Sequence, residues 1–192
     1  KPNIINSLIE KYSLNTDEYN IVFMDANISI DERCFEELEN LISRKGIGIV
    51  GASIKPKNEE SNMESDYILR ENHIKFNESN AFGYVVGVFG GCYMMKGELF
   101  DSTPSHYITD DLFQSFQVIE RGNHILYSKD AIAYEEINAE INNEFRRKRR
   151  YSAGNFQILQ RFWRFLLKPW QVSFGFTYCY FFHKVVRWIW SL

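Results

Sequence analysis

Two short, almost wholly apolar runs, IVFMD at 21–25 and IGIVGASI at 47–54, bracket a stretch with helical periodicity. A strand with one wet face alternates polar and apolar residues. These runs do not, so each reads as a strand buried on both faces. Between them Cys34, Phe35, Leu38, Leu41 and Ile42 recur at the spacing of one helix face, with Asp31 as N-cap and Gly46 as the stop. A helix crossing between doubly buried strands points to an α/β fold with a mostly parallel sheet flanked by helices.

The rest of the chain continues the alternation. Residues 3–12 put Ile4, Ile5, Leu8 and Ile9 on one helical face. Residues 55–65 (KPKNEESNMES) are polar and turn-rich and read as an exposed loop. The run GYVVGVFGGCYMM at 83–95 mixes glycines with β-formers, allowing a bulge or a close approach of ligand to backbone. Thr109 is predicted to cap a helix whose inner face is Leu112, Phe113, Phe116 and Ile119, with Gly122 at its end. HILYS (124–128) and AIAYE (131–135) read as two strands, and a helical pattern runs from Ile141 to about Lys168, where Pro169 breaks it. There is no internal repeat. A length of 192 residues with 45% hydrophobic side chains is enough for one sizeable core and excludes a disordered or disulfide-scaffold chain. Cys34, Cys92 and Cys179 are widely spaced and odd in number, which fits a reducing compartment better than a disulfide framework.

Charge is unevenly divided. Residues 146–192 carry ten Lys or Arg and no Asp or Glu, whereas the first 145 carry 12 basic and 25 acidic side chains. A basic segment on an acidic body faces something anionic. The same segment is aromatic: of 31 Phe, Trp and Tyr, 13 fall within 156–192. Residues 172–192 match one bilayer span of about 20 residues, yet His183, Lys184 and Arg187 interrupt it at helical spacing. Charges inside a spanning helix are costly, so an amphipathic helix lying in the headgroup plane, its basic residues toward anionic lipid, is the better reading. A core-packed aromatic helix is the alternative. Nucleic acid is not the expected partner, because no reading motif surrounds the basic cluster and the remainder is acidic.

Three constellations carry candidate chemistry. Asp25-Ala26-Asn27 follows a buried strand, where α/β sheets bind ligands. A carboxylate and an amide two residues apart can hold a divalent cation and, through it, a diphosphate; Asx residues there also simply make turns. Thr109-Asp110-Asp111 opens a helix, where acids suit the dipole, and one of them can serve as a general base. Five consecutive cations, Arg146 to Arg150, followed by Tyr151, repel one another on a solvated helix and make sense where some meet phosphate.

Taken in order, strand-Asp25-Ala26-Asn27, Gly90-Gly91-Cys92-Tyr93, Thr109-Asp110-Asp111 and Arg147-x-x-Arg150-Tyr151, with His183-Lys184-x-x-Arg187-Trp188 near the end, resemble membrane-bound family-2 glycosyltransferases of the GT-A fold, which include cellulose- and hyaluronan-synthase-like proteins. The resemblance implies a GT-A (Rossmann-like) catalytic domain over 1–168 and a membrane-interface helical tail over 169–192, at the cytoplasmic face of the cell membrane. It implies an inverting, metal-dependent transfer from a nucleotide-sugar donor to a glycan or lipid-linked acceptor in polysaccharide synthesis. Asp25 and Asn27 would hold Mg2+ or Mn2+ and the donor diphosphate, with Lys1, Arg147 and Arg150 beside it. Asp111 would be the base. Gly90, Gly91, Asp110 and Tyr151 would meet the acceptor. Asn27 stands where the family has a second aspartate, and Arg147 and Tyr151 where it has Gln and Trp. The family's first strands, which hold the nucleotide base, would precede Lys1, so this chain alone is expected to hold an incomplete donor site and to be inactive. The alternative is a non-catalytic membrane-surface partner with a degenerate GT-A fold.

Overall fold

The run at 47–54 forms the middle of the molecule. In the computed structural model, which describes residues 1–57, 63–136 and 141–190, it is strand β3 (Ile47–Pro56), buried over its first eight residues. It lies between β4 (Cys92–Lys96) and β5 (His124–Glu135), while β1 (Asn20–Met24) and β2 (Ile28–Ile30) form the two edges, giving the order β1-β4-β3-β5-β2. Burial on both faces explains why β3 lacks the alternation of a half-wet strand. β1, expected to be buried in the same way, is instead an edge strand with no fully buried residue and Met24 exposed, because it pairs on one side alone.

The sheet is mixed, which corrects the expectation of a mostly parallel one. Only β3–β5 pair in parallel; β1–β4, β3–β4 and β2–β5 are antiparallel. Apolar runs report burial, not direction, and β4 enters from the glycine-rich loop pointing the other way. HILYS and AIAYE are one strand rather than two. β5 stays paired with β3 from Ile47–His124 to Pro56–Glu135, with a register irregularity between Gly51 and Ser53.

Helices cover both faces. On one side α2 (Cys34–Ile42) buries Cys34, Leu38 and Ile42 against Val50, Ala52 and Ile54 of β3. Asp31 does not take the N-cap position, which falls to Arg33. Its carboxylate instead accepts from the Arg33 backbone N–H at 3.1 Å, an Asx turn ahead of the helix. On the other side α4 (Asp110–Glu120) buries Leu112, Phe113, Phe116 and Ile119 in a core with Ile49, Ile125 and Phe162. α1 (Pro2–Lys11) starts with proline at its first turn, where no N–H is needed, and buries Ile9.

α3 (Met63–Phe82) was not legible as a helix. Its inward side carries Ile68 but also Glu71, Lys75 and Glu78, all buried, so no apolar stripe marks it. The polar segment read as a loop is cut short on both sides: β3 runs to Pro56 and α3 begins at Met63, with 58–62 outside the described residues.

The long helical pattern resolves into α5 (Ile141–Phe162) and the short α6 (Arg164–Leu167), and Pro169 ends it as expected. The tail is α7 (Phe174–Cys179), a π-helical stretch (Tyr180–Val185) and α8 (Val186–Trp190). Phe176, Cys179, Tyr180 and Val185 join the α4 core. The three basic residues expected to face lipid face the protein instead. His183 lies between Glu71 and Glu78, while Lys184 and Arg187 pair with Glu71. Buried carboxylates on α3 supply the anions that sequence reading assigned to a membrane.

Candidate active site

Asp25 immediately follows edge strand β1, and its backbone N–H donates to Gly91 O at 3.0 Å, tying it to the glycine turn before β4. Lys1, ahead of α1, reaches across: its Nζ lies 2.8 Å from Asp25 Oδ1 and 3.6 Å from Asp110 Oδ2. Burial alone would lower the Lys1 pKa, but the hydrogen bond to Asp25 and the charges of Asp110, Asp25 and Asp111 raise it. The structure thus brings together Lys1, Asp25, Asp110 and Asp111, four residues read from three separate parts of the sequence.

Asp111 is the base candidate with the fitting chemistry. Burial pushes its carboxyl up to about 6, and the neighbouring Asp110 adds to this. The Leu112 N–H, Lys1 and Lys75 pull the other way. Gly90 lies against it: a β-carbon there would be 2.8 Å from Asp111 Oδ2. Gly91 packs on Ile28 and Ile54. Gly90 therefore leaves the Asp111 carboxylate space that any side chain there would take. Below, the buried Tyr93 hydroxyl is held well above its ordinary range by burial and then by Asp111, Asp110 and Asp25, so all three carboxylates act on one point.

Thr109 occupies the N-cap position of α4 but not in the expected way. Its side chain makes no capping hydrogen bond, and its buried hydroxyl has no hydrogen-bond partner among the described residues. α5 takes that side instead. A β-carbon on Gly154 would meet Thr109 Cγ2 at 2.8 Å, and Gln157 bonds Ile108 N–H and His106 O at 3.1 and 2.8 Å. Arg147 and Arg150 sit on the same face of α5 as Gly154 and Gln157, one to two turns earlier. Arg150 is exposed, and its guanidinium lies over the half-exposed Tyr151 ring at 5.2 Å. The structure thus puts both arginines on a helix docked beside Thr109, without bringing Arg150 into the Lys1–Asp25 group.

Asn27 turns toward a residue that sequence reading did not single out. Its Nδ2 donates to Glu135 Oε1 at 3.5 Å. Burial raises the Glu135 carboxyl, Asn27 lowers it and Asp25 raises it again, so Glu135 is a third member of the Asp25–Asn27 corner. Its signal was present: AIAYE ends in an acid at the end of a strand. Asp25, Asn27 and Glu135 offer only oxygen and amide donors, the hard class suited to Mg2+ or Mn2+. Among the described residues no group of three or more His, Cys, Asp or Glu side chains is arranged to hold a metal. The donors thus fit an ion that takes one or two protein oxygens and completes its shell with phosphate and water, as Mg2+ does. Lys1 sits on one Asp25 oxygen and must share or yield it.

The model of glycosyl transferase family group 2 matches residues 20–192, from β1 through the tail. The chain belongs to this family. Its fold is similar to that of the mannosyltransferase PcManGT from Pyrobaculum calidifontis, solved in complex with GDP-Man and Mn2+, with a TM-score of 0.63 and 14% sequence identity. The similarity covers 83% of this chain and 44% of that one, so the chain spans under half of the neighbour's length. No curated protein matches the sequence. The family match takes in Asp25, Asn27, Gly90, Gly91, Asp110, Asp111, Arg147, Arg150 and Tyr151, while Lys1 precedes it.

Proposed function

We propose that this chain carries the catalytic centre of an inverting, metal-dependent glycosyltransferase, of the cellulose- and hyaluronan-synthase-like kind. It moves a sugar from a nucleotide-sugar donor to a glycan or lipid-linked acceptor in polysaccharide synthesis. The observation that carries this is the meeting of Lys1, Asp25, Asp110 and Asp111 beside the Gly90–Gly91 turn. Asp111 accepts the proton of the acceptor hydroxyl as that oxygen bonds the anomeric carbon. The bond from that carbon to the diphosphate oxygen breaks, and its electron pair leaves with the diphosphate. A base whose pKa lies near working pH is both ionised and basic enough for this. Attack opposite the leaving group inverts the centre.

Asp25 and Asn27, with Glu135 beside them, would hold Mg2+ or Mn2+, which supplies charge for the departing diphosphate when bound. A neighbour of similar fold was solved with GDP-Man and Mn2+, which supports a divalent ion and a nucleotide-sugar. Lys1 adds a cation to the same diphosphate, and Arg147 and Arg150 would join it where α5 moves toward the Asp25 corner on donor binding. Gly90, Gly91, Asp110 and Tyr151 line the acceptor side.

The tail seats the enzyme on the cytoplasmic face of the cell membrane. No helix among the described residues is long and apolar enough to cross a bilayer. Trp170 and Phe174 are nevertheless 71% and 74% exposed, and an open apolar hollow of about 510 Å³ lies among Phe82, Pro169, Phe174, Gly175, Thr177 and Tyr178. Exposed aromatics on an acid-free segment fit an interfacial position.

The test is radiolabelled-sugar transfer by the full-length protein with Mn2+ and a panel of nucleotide-sugars. Asp111→Asn is expected to abolish transfer and preserve donor binding; retained turnover removes Asp111 from the role. A second reading, a non-catalytic membrane-surface partner with a degenerate GT-A fold, is favoured by the Lys1 ammonium on Asp25. It predicts no sugar incorporation by the wild-type protein under any donor.

A further inference from the structure

Glu71, Lys75 and Glu78 recur along one face of α3 and are 2%, 3% and 5% exposed; His183 of the tail, at 8%, meets them. Charged groups are buried at this depth only when paired. Here the pairing has a direction. Glu78 accepts from His183 Nδ1 at 2.5 Å through Oε1 and from the Val86 backbone N–H at 3.2 Å through Oε2. Lys75 Nζ donates to the carbonyl of the next residue, Gly87, and lies 5.4 Å from the Phe89 ring centre. One carboxylate thus joins the tail to the loop at 84–91, and one ammonium holds the adjoining peptide.

The loop is held from α4 as well. Val88 N–H donates to Ser115 Oγ at 3.2 Å, and that hydroxyl donates to Asp111 O at 2.8 Å. Gly87 has φ +84° and packs against Leu112, so only glycine fits there without strain. Three residues on, Gly90 abuts the Asp111 carboxylate. A continuous path therefore runs from His183 through Glu78 to Val86, and through Val88 and Ser115 to Asp111.

We propose that Glu78 and Lys75 are positioning residues for transfer, and that docking of the tail through His183 sets the loop at 84–91 against Asp111, so that acceptor turnover depends on a seated C-terminal segment. This rests on the glycosyl-transfer reading above for its kinetic part and on geometry alone for its structural part. Glu78, Lys75 and His183 reach Asp111 through the near part of the loop, whereas Asp25 is tied only to its last residue, by the bond from Asp25 N–H to Gly91 O at 3.0 Å, so the effect falls more on the acceptor step than on donor capture.

The experiment compares His183→Ala, His183→Gln and Glu78→Gln in the full-length protein by hydrogen exchange and by transfer kinetics. Loss of one charge-assisted hydrogen bond is expected to raise exchange in the 84–91 peptide about tenfold and to lower kcat by a similar factor. Donor KM should change several-fold less than kcat, and exchange in β3 should stay as in the wild type. His183→Gln, which keeps a donor for one carboxylate, should recover part of both losses. Unchanged exchange in 84–91, or exchange that rises uniformly through the protein with kcat and KM moving together, overturns the proposal. A loop that responds in a protein with no transfer by the wild type upholds the coupling and refutes the enzymatic reading beneath it.

Discussion

Gly90 and Asp111 are neighbours in space, 21 positions apart in sequence: a β-carbon on Gly90 would be 2.8 Å from Asp111 Oδ2 and 3.1 Å from its Cγ. Real β-carbons do not approach an oxygen that closely, so Gly90→Ala must displace the carboxylate. Misplacing a reacting group by about 1 Å costs on the order of 100-fold in rate. Gly90→Ala is expected to lower kcat by roughly that factor, with donor binding by titration calorimetry unchanged. Wild-type kcat in this variant would show that Asp111 is not the reacting group.

The raised pKa of Asp111 sets two pH dependences of opposite sense. A base must be ionised, so kcat/KM should fall as pH drops below about 6. Stability runs the other way. The folded group binds its proton up to about 6 while an unfolded Asp releases it near 4, so its contribution is present at low pH and lost as pH rises through that window. Asp111→Asn should therefore stabilise the fold at pH 8, by about 1–3 kcal/mol, and leave it unchanged at pH 3.5. Urea denaturation at the two values measures this, and equal effects at both would refute the buried ionised carboxylate.

Glu135, the acid that ends β5, supplies a carboxylate near Asp25 and Asn27. A group supporting a metal ligand typically contributes about tenfold or more in affinity. Glu135→Gln is expected to weaken Mn2+ binding by about that factor, read by electron paramagnetic resonance, with the thermal midpoint nearly unchanged. Loss of folding in place of metal affinity would make Glu135 a purely structural residue.

Trp170 and Phe174 project from the tail while Phe176 and Tyr180 are buried. Replacing the exposed pair with serine should reduce co-sedimentation with anionic phosphatidylserine vesicles at least about tenfold, since each ring forfeits roughly 2 kcal/mol of buried apolar area. The midpoint of unfolding should hold. Phe176→Ser is the control in the other direction, expected to unfold the α4 core at a cost of about 3–5 kcal/mol. Equal vesicle binding by wild type and the double variant would refute the tail as a membrane contact.

Local pattern sufficed for β3, α1, α2, α4 and the break at Pro169, because burial of one face leaves a period in the sequence and burial of both leaves an unbroken apolar run; it placed β1 as a strand but not at the half-buried edge of the sheet. It also located Asp25, Asp110 and Asp111 at the ends of elements, where chain ends are free to present side chains. Strand direction was decided by tertiary structure: apolar runs look alike in parallel and antiparallel neighbours, so the reversed entry of β4 left no trace. α3 stayed hidden because Glu71, Lys75 and Glu78 occupy its buried face, and their mutual charges together with His183, Lys184, Arg187, Val86 and Gly87 offset the cost of that burial. For the same reason the tail's cations read as lipid-facing until the acids of a distant helix were seen to meet them. Periodicity records whether a side chain leaves water; which charge it meets on arrival depends on contacts more than 100 residues away, such as His183 with Glu78.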